Sequence, residues 1–190
     1  MIEAIKEKVI DKMKDHPKRL AHIIGVAETA AKLAKIYGIP EEKAMIAGLY
    51  HDIAKHDSLQ EQMNMMDLRW IKAYADYPVI YHAIAAANML EHAFRVHDHD
   101  ILNAIRYHVW GRKEMSMLEK IIFVADSCEP NRPFDDIDYI YDLATKDINQ
   151  AVCYCMKQSI LDVKKKKLVP SDEQLEAYEY YLEVTRGKIK

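Results

Sequence analysis

Four of the nine histidines in the 190-residue chain are followed directly by aspartate: His51-Asp52, His56-Asp57, His97-Asp98 and His99-Asp100. An imidazole beside a carboxylate can ligate a metal, move a proton or cap a helix, so the surroundings must decide. His97 to Asp100 lies in a charged stretch ahead of an apolar periodic run, where acids favour the positive end of a helix, and reads as solvated capping. His56-Asp57 precedes Ser58, which with Glu61 has the spacing of a capping box. His51-Asp52 differs because it follows the run Ala-Met-Ile-Ala-Gly-Leu-Tyr, within a segment that should be packed. A buried carboxylate beside a buried imidazole needs a partner charge, hydrogen bonds or a metal.

Two further polar groups stand isolated among apolar residues. His22 lies on an apolar helix pattern, and Asp126 ends the run Ile121-Ile122-Phe123-Val124-Ala125. Taken singly, each reads first as a satisfied structural residue. Taken together, three buried helices carrying His22, His51-Asp52 and Asp126 into one core would bring two nitrogens and two oxygens around a transition metal.

The elements that must position these groups are helices. Pro17 at a first turn, the series Leu20, Ile23, Ile24, Ala27, Ala31, Ala34 and the closing Gly38 and Pro40 define one helix. Val26, Ala30 and Leu33 add a second apolar stripe, which places it at the centre of a bundle. A second helix starts at Pro40 and is expected to run to about Lys55. Capping-box spacings at Ser58/Glu61, Ser116/Glu119 and Ser171/Gln174 mark three later starts, and further helices are predicted over 76–93, 100–110, 136–144 and 148–166. Alternating strand patterns, fixed-period repeats and a domain-separating linker are lacking. The expectation is an all-α, single-domain bundle over 1–190, with a metal-site core at about 16–127 completed by C-terminal helices at about 136–187.

Composition narrows the function classes. Five Gly and six Pro in a chain with half its residues apolar and 30% charged fit an ordinary helical globule and exclude collagenous or disordered classes. The net charge of −3 argues against a general polyanion-binding surface, and no apolar run approaches a membrane span, so nucleic acid and membrane are not expected partners. The first fifteen residues lack signal-peptide character, which makes the cytoplasm the expected compartment. Cys128, Cys153 and Cys155 form no metal-binding or disulfide pattern and read as packing residues. Met63, Met65 and Met66 read the same way.

With His22, His51-Asp52 and Asp126 in place, the sequence resembles the HD-domain metal-dependent phosphohydrolases, whose pattern is His, His-Asp and a distant Asp. The stretch Ala47-Gly48-Leu49-Tyr50-His51-Asp52-Ile53-Ala54-Lys55 resembles that superfamily around the dipeptide, and Lys55 falls on the face of Asp52 if the segment is helical. Four more segments narrow the resemblance to the YqeK family of symmetrical bis(5′-nucleosyl)-tetraphosphatases. They are residues 16–22, Asn103-Ala104-Ile105-Arg106-Tyr107-His108, residues 115–126 and Glu129-Pro130-Asn131-Arg132. Two positions depart from the family pattern. Ala83 stands where Gly is usual, and Val109 stands where Thr is usual, which removes a hydroxyl that would face phosphate.

The resemblance implies an all-helical hydrolase that cleaves diadenosine tetraphosphate and related dinucleoside tetraphosphates into two nucleoside diphosphates. It implies metal ligation by His22, His51, Asp52 and Asp126, with iron foremost and manganese, cobalt or zinc as alternatives. Asp52 would orient or deprotonate water, and Lys55, His82, His108 and Arg132 would neutralise phosphate, with His22, Asp52 and Asp126 also touching substrate. Arg112, Lys167, Leu168, Val169 and Pro170 are outer candidates for substrate contact. Each has a plain structural reading: Arg112 as a solvated turn residue, Lys167 as one of four lysines at a helix C-terminus, and Leu168 to Pro170 as an interhelical turn. His82, next to an alanine-rich run, reads equally as a core histidine. The expected partners are a dinucleoside polyphosphate or nucleoside diphosphate and, for the assembly, a homodimer. Alternative readings are another HD-domain phosphohydrolase or phosphodiesterase acting on a nucleotide, and a module that senses a nucleoside diphosphate without turnover.

Overall fold

The helix from Pro17 to Ile36 buries Val26, Ala30 and Leu33 of one apolar stripe and Ile23, Ala27 and Ala34 of the other. The computed structural model describes residues 1–187. Among them run eleven α-helices and no strand: α1 (Ile2–Lys12), α2 (Pro17–Ile36), α3 (Glu41–Tyr50), α4 (Leu59–Asn64), α5 (Leu68–Ala73), α6 (Tyr81–Phe94), α7 (His99–Arg106), α8 (Met117–Cys128), α9 (Ile137–Lys146), α10 (Ile148–Lys165) and α11 (Asp172–Thr185). Helix α8 is the second central element, packed against α2, α3, α7, α9 and α10, while α11 packs on α10 and α1 on α3. One cluster of buried apolar residues runs from Ile5 on α1 to Tyr181 on α11, so the C-terminal helices share the core of the others. Each fully buried Leu or Ile in it contributes about 1.5–3 kcal/mol relative to an exposed one.

Two glycines allow the central helices to approach. A Cβ at Gly48 on α3 would lie 2.5 Å from Ala27 Cα on α2, and one at Gly25 on α2 would lie 2.1 Å from Glu129 Oε2, beyond the end of α8. Either addition would force main chain or a buried carboxylate to move.

The chain departs from the sequence expectation at several boundaries. Helix α3 ends at Tyr50 instead of about Lys55, and residues 51–57 continue as turns with backbone bonds three residues apart, such as Lys55 N to Asp52 O at 3.0 Å. The buried Gln62 amide donates to Ala54 O at 3.1 Å and Asp57 O at 2.9 Å, which satisfies carbonyls that the loosened helix releases. The helix expected from Asp76 begins at Tyr81, after a 3-10 turn opened by Pro78. The short α5 carries too few periodic positions to be read from sequence. Ser58 and Ser116 form full capping boxes, whereas at Ser171 only the serine half is made, because the Gln174 amide turns to Ser159 Oγ at 3.0 Å. No helix among the described residues is long and apolar enough to cross a membrane.

Candidate functional site

Five elements deliver ionisable groups to one point. His22 comes from the second turn of α2, His51 and Asp52 from the turn after α3, His82 from α6, His108 from the turn after α7, and Asp126 from the last turn of α8. Asp52 is the hub. Its Oδ2 lies 3.8 Å from His22 Nε2 and 3.7 Å from His51 Nε2, and its Oδ1 lies 3.1 Å from His82 Nε2 and 3.5 Å from His108 Nε2. Asp126 Oδ1 completes the first side, 3.0 Å from His22 Nε2 and 3.6 Å from His51 Nε2. The expected quartet of His22, His51, Asp52 and Asp126 is therefore assembled, and His82 and His108 stand on the opposite oxygen of the same carboxylate.

The histidine rings are turned so that Nε2 faces this centre. His51 Nδ1 donates to Gly48 O at 2.7 Å and His108 Nδ1 donates to Ile105 O at 2.7 Å. His22 Nδ1 donates to Glu129 Oε1 at 3.1 Å. These partners select the tautomer that leaves a lone pair on each Nε2, the arrangement that a metal-binding imidazole needs. Glu129 is itself wholly buried and held by the Asn131 backbone and side-chain amides, both at 2.8 Å.

Charge is concentrated here out of water. Burial opposes ionisation of Asp52, but His51, His108 and His82 outweigh it and hold the carboxyl well below the usual range. Asp126 is likewise held low against its own burial, by His22, His51 and Arg132. Burial drives His82 down to about 4, and its Nε2 lies 3.1 Å from Lys55 Nζ, placed to accept from the ammonium. Asp52 Oδ1 is buried and, among the described residues, accepts no hydrogen bond. An ionised carboxylate with a bare oxygen, facing imidazole lone pairs, is a donor set that fits a divalent transition metal.

Cations ring the centre. Lys55 Nζ is 3.9 Å from Asp52 Oδ1, so the turn of three-residue bonds keeps it on the face expected for a helix. Burial lowers the Lys55 ammonium pKa, with Asp52 and Asp126 pulling the other way. Arg132 pairs with the Asp126 carboxylate and donates through Nε to Asp126 O at 2.6 Å. Arg19 pairs with Asp52 Oδ2.

Arg19 and Glu129 are site residues that the sequence pattern alone does not single out. Arg19 has a signal in its spacing, three residues before His22 on the same face of α2, whereas Glu129 lies just beyond the end of α8, in extended backbone, and has none. Arg112 is placed differently from the other candidates, with Nη2 2.8 Å from the buried Glu119 and its guanidinium over Tyr107. Lys167 adopts a left-handed conformation after α10, Leu168 and Val169 are exposed, and Pro170 is buried. None of these four lines the cavity of about 760 Å³ that is bounded by Lys55, His108, Val109, Asp126, Arg132 and Lys166.

Comparison with known proteins gives a consistent picture. The family model described as "HD domain" matches residues 19–131. The chain is 39% identical over 150 residues to the symmetrical bis(5′-nucleosyl)-tetraphosphatase of Bacillus subtilis (strain 168), covering 78% of this chain and 81% of that protein. It is 32% identical over 182 residues to the protein of the same name from Staphylococcus aureus (strain NCTC 8325 / PS 47), covering 93% of each. A crystal structure from Clostridium acetobutylicum, described as a predicted HD superfamily hydrolase involved in NAD metabolism, superposes with a TM-score of 0.85 at 30% identity, covering 97% of this chain and 98% of that one.

Proposed function

This chain belongs to the HD domain family, and from that premise we propose that it hydrolyses diadenosine tetraphosphate and related dinucleoside tetraphosphates symmetrically, giving two nucleoside diphosphates. The observation that carries the reading is the two-sided Asp52 carboxylate, with a metal-fitting group of His22, His51 and Asp126 on one oxygen and phosphate-fitting Lys55, His82 and His108 beside the other. Relatives that bear the name of this activity cover most of the chain.

His22, His51, Asp52 and Asp126 would hold the ion, with iron foremost among iron, manganese, cobalt and zinc as metals suited to two imidazoles and two carboxylates. A bound divalent ion supplies Lewis acidity that lowers the pKa of water and polarises a phosphoryl oxygen. The protein's own groups do the rest. Ionised Asp52 orients the attacking water by accepting its hydrogen bond. The water oxygen gives up a proton to Asp52 as it bonds to one inner phosphorus, the bond from that phosphorus to the oxygen bridging the two inner phosphorus atoms breaks, the departing diphosphate takes the electron pair, and the proton passes on to it or to solvent. Charge grows on the bridging and equatorial oxygens, where Lys55 and the planar guanidinium of Arg132 stand ready without reorganisation. His82 and His108, turned inward by their neighbours, complete the phosphate lining. The same reading assigns a free small nucleotide as partner, the cytoplasm as compartment and a homodimer as assembly.

Incubation of the metal-loaded protein with diadenosine tetraphosphate in isotopically labelled water tests the reaction. Two diphosphates per event, only one of them labelled, is the expected result. A monophosphate with a triphosphate would overturn the symmetrical reading.

A further inference from the structure

We infer that the protein carries a second nucleoside diphosphate site, in a cavity that adjoins the large one at Arg132 and Pro133, which receives the other half of a dinucleoside tetraphosphate. The inference rests on the reaction proposed above and deepens it. A symmetrical substrate has two identical halves and is cut between them, so a protein that grips both needs two cavities with the reacting centre between. Two such cavities are present. The first, of about 760 Å³, is reached past Lys55, His108 and Asp126. The second, of about 500 Å³, is lined by His16, Lys18, Arg19, His56, Asn131 and Arg132, with His22 and the buried Glu129 also on its wall. Both volumes fall within the range of small-molecule sites, about 300–1,000 Å³.

The two cavities meet at the chemistry. Arg132 and Pro133 line both. His22 lines one and Asp126 the other, and these two residues are 3.0 Å apart. A tetraphosphate lying past Arg132 would therefore cross the centre with one diphosphate on each side.

The second cavity has the chemistry of a nucleoside diphosphate. Arg19, Arg132 and Lys18 place three cationic side chains on its wall, Arg19 and Arg132 also pairing with Asp52 and Asp126 of the centre, while the one carboxylate on the wall, Glu129, is engaged by His22 and Asn131. His16 and His56 lie stacked, with ring centroids 3.8 Å apart and planes 4° apart. His56 is exposed, so the pair presents a flat aromatic face at the rim, suited to stacking a base. Burial, with His16 and Arg19, pushes the His56 pKa below its ordinary value, so that ring is neutral at neutral pH. Phosphates would lie toward Arg19 and Arg132 and the base toward the histidine pair.

The test uses the full-length metal-loaded protein with adenosine diphosphate as probe, in equilibrium dialysis, together with two substrates. Wild-type protein should bind two adenosine diphosphates per chain, and the triple variant His16→Ala/Lys18→Ala/His56→Ala only one. The ratio of kcat/KM for diadenosine tetraphosphate to that for adenosine 5′-tetraphosphate, which has one nucleoside only, should fall about tenfold in the same variant. A folding defect would lower both rates and leave their ratio. One adenosine diphosphate per wild-type chain, or an unchanged ratio, overturns the second site. Failure of the wild-type protein to release two diphosphates strikes the reaction instead, and the dialysis still decides the site.

Discussion

The same dipeptide has two fates in this molecule. At His51-Asp52 the imidazole and the carboxylate are both buried, each facing residues from other helices, and the carboxylate oxygen Oδ1 accepts no hydrogen bond among the described residues. At His97-Asp98 the histidine is exposed beside Glu91, and Asp98 caps α7, accepting from Asp100 N at 2.9 Å while pairing with Lys43 at 2.7 Å. His56-Asp57 is intermediate, with Asp57 paired to Lys12 at 2.7 Å near the surface. Chemistry thus follows from what surrounds a His-Asp pair. A charge in water is satisfied locally, whereas one held in a packed core must be matched by ligands from elsewhere in the chain.

The largest effects should come from breaking the buried pair. His51→Ala and Asp126→Ala should each lose most bound metal by elemental analysis and at least a hundredfold in kcat, while circular dichroism stays helical, because the ligands come from separate elements whose packing does not depend on any one of them. Retained metal would put the centre elsewhere. Lys55→Ala should keep its metal and lose turnover. If Lys55 acts on developing charge as a preorganised donor does, the loss is about 2–4 kcal/mol of transition-state stabilisation, roughly 30- to 1,000-fold in kcat. Equal loss of metal and turnover would make Lys55 a support for Asp52 instead. Glu129→Gln weakens the hold on His22 Nδ1 without changing its shape, so metal affinity measured by competition with a chelator should fall about 10- to 100-fold, the usual range for an outer-shell partner.

Most of the helices are legible in the sequence because their signals are local. Proline at the first turn of α2, full capping boxes at Ser58 and Ser116, and the double stripe of α2 each act within a few residues. The metal-fitting quartet is legible because a polar group set in an apolar run is carried into the core with its neighbours, where it must meet a partner. What escapes the sequence depends on contacts distant along the chain. The end of α3 at Tyr50 is coupled to the Gln62 amide, which takes up the carbonyls of 54 and 57 from a later helix. Glu129 is held inside by a ring 107 residues away, in the space left by Gly25, and a lone glutamate after a helix carries no sign of that. Arg112 sits after Trp110-Gly111 like a turn residue, but its partner Glu119 lies buried in a cap seven residues on.

The smallest effects should come from the exposed pair, and they complete the comparison. His97→Ala should change neither metal content nor kcat, since its exposed ring pairs with Glu91 at the surface. Asp98→Ala removes a cap with two backbone partners, so it should cost about 1 kcal/mol of unfolding free energy and leave the reaction untouched. Its pH dependence is fixed in sign. Lys43, aided by the backbone N–H groups of Asp100 and Ile101, outweighs the opposing effect of burial and holds the Asp98 carboxyl below its ordinary value. The stabilisation is therefore complete above the unfolded value of about 3.9 and disappears as pH falls through the lower folded value. Urea melts of wild type and Asp98→Ala should differ at pH 7 and converge in strong acid. A gap that persists there would mean that Asp98 acts through packing and not through its charge.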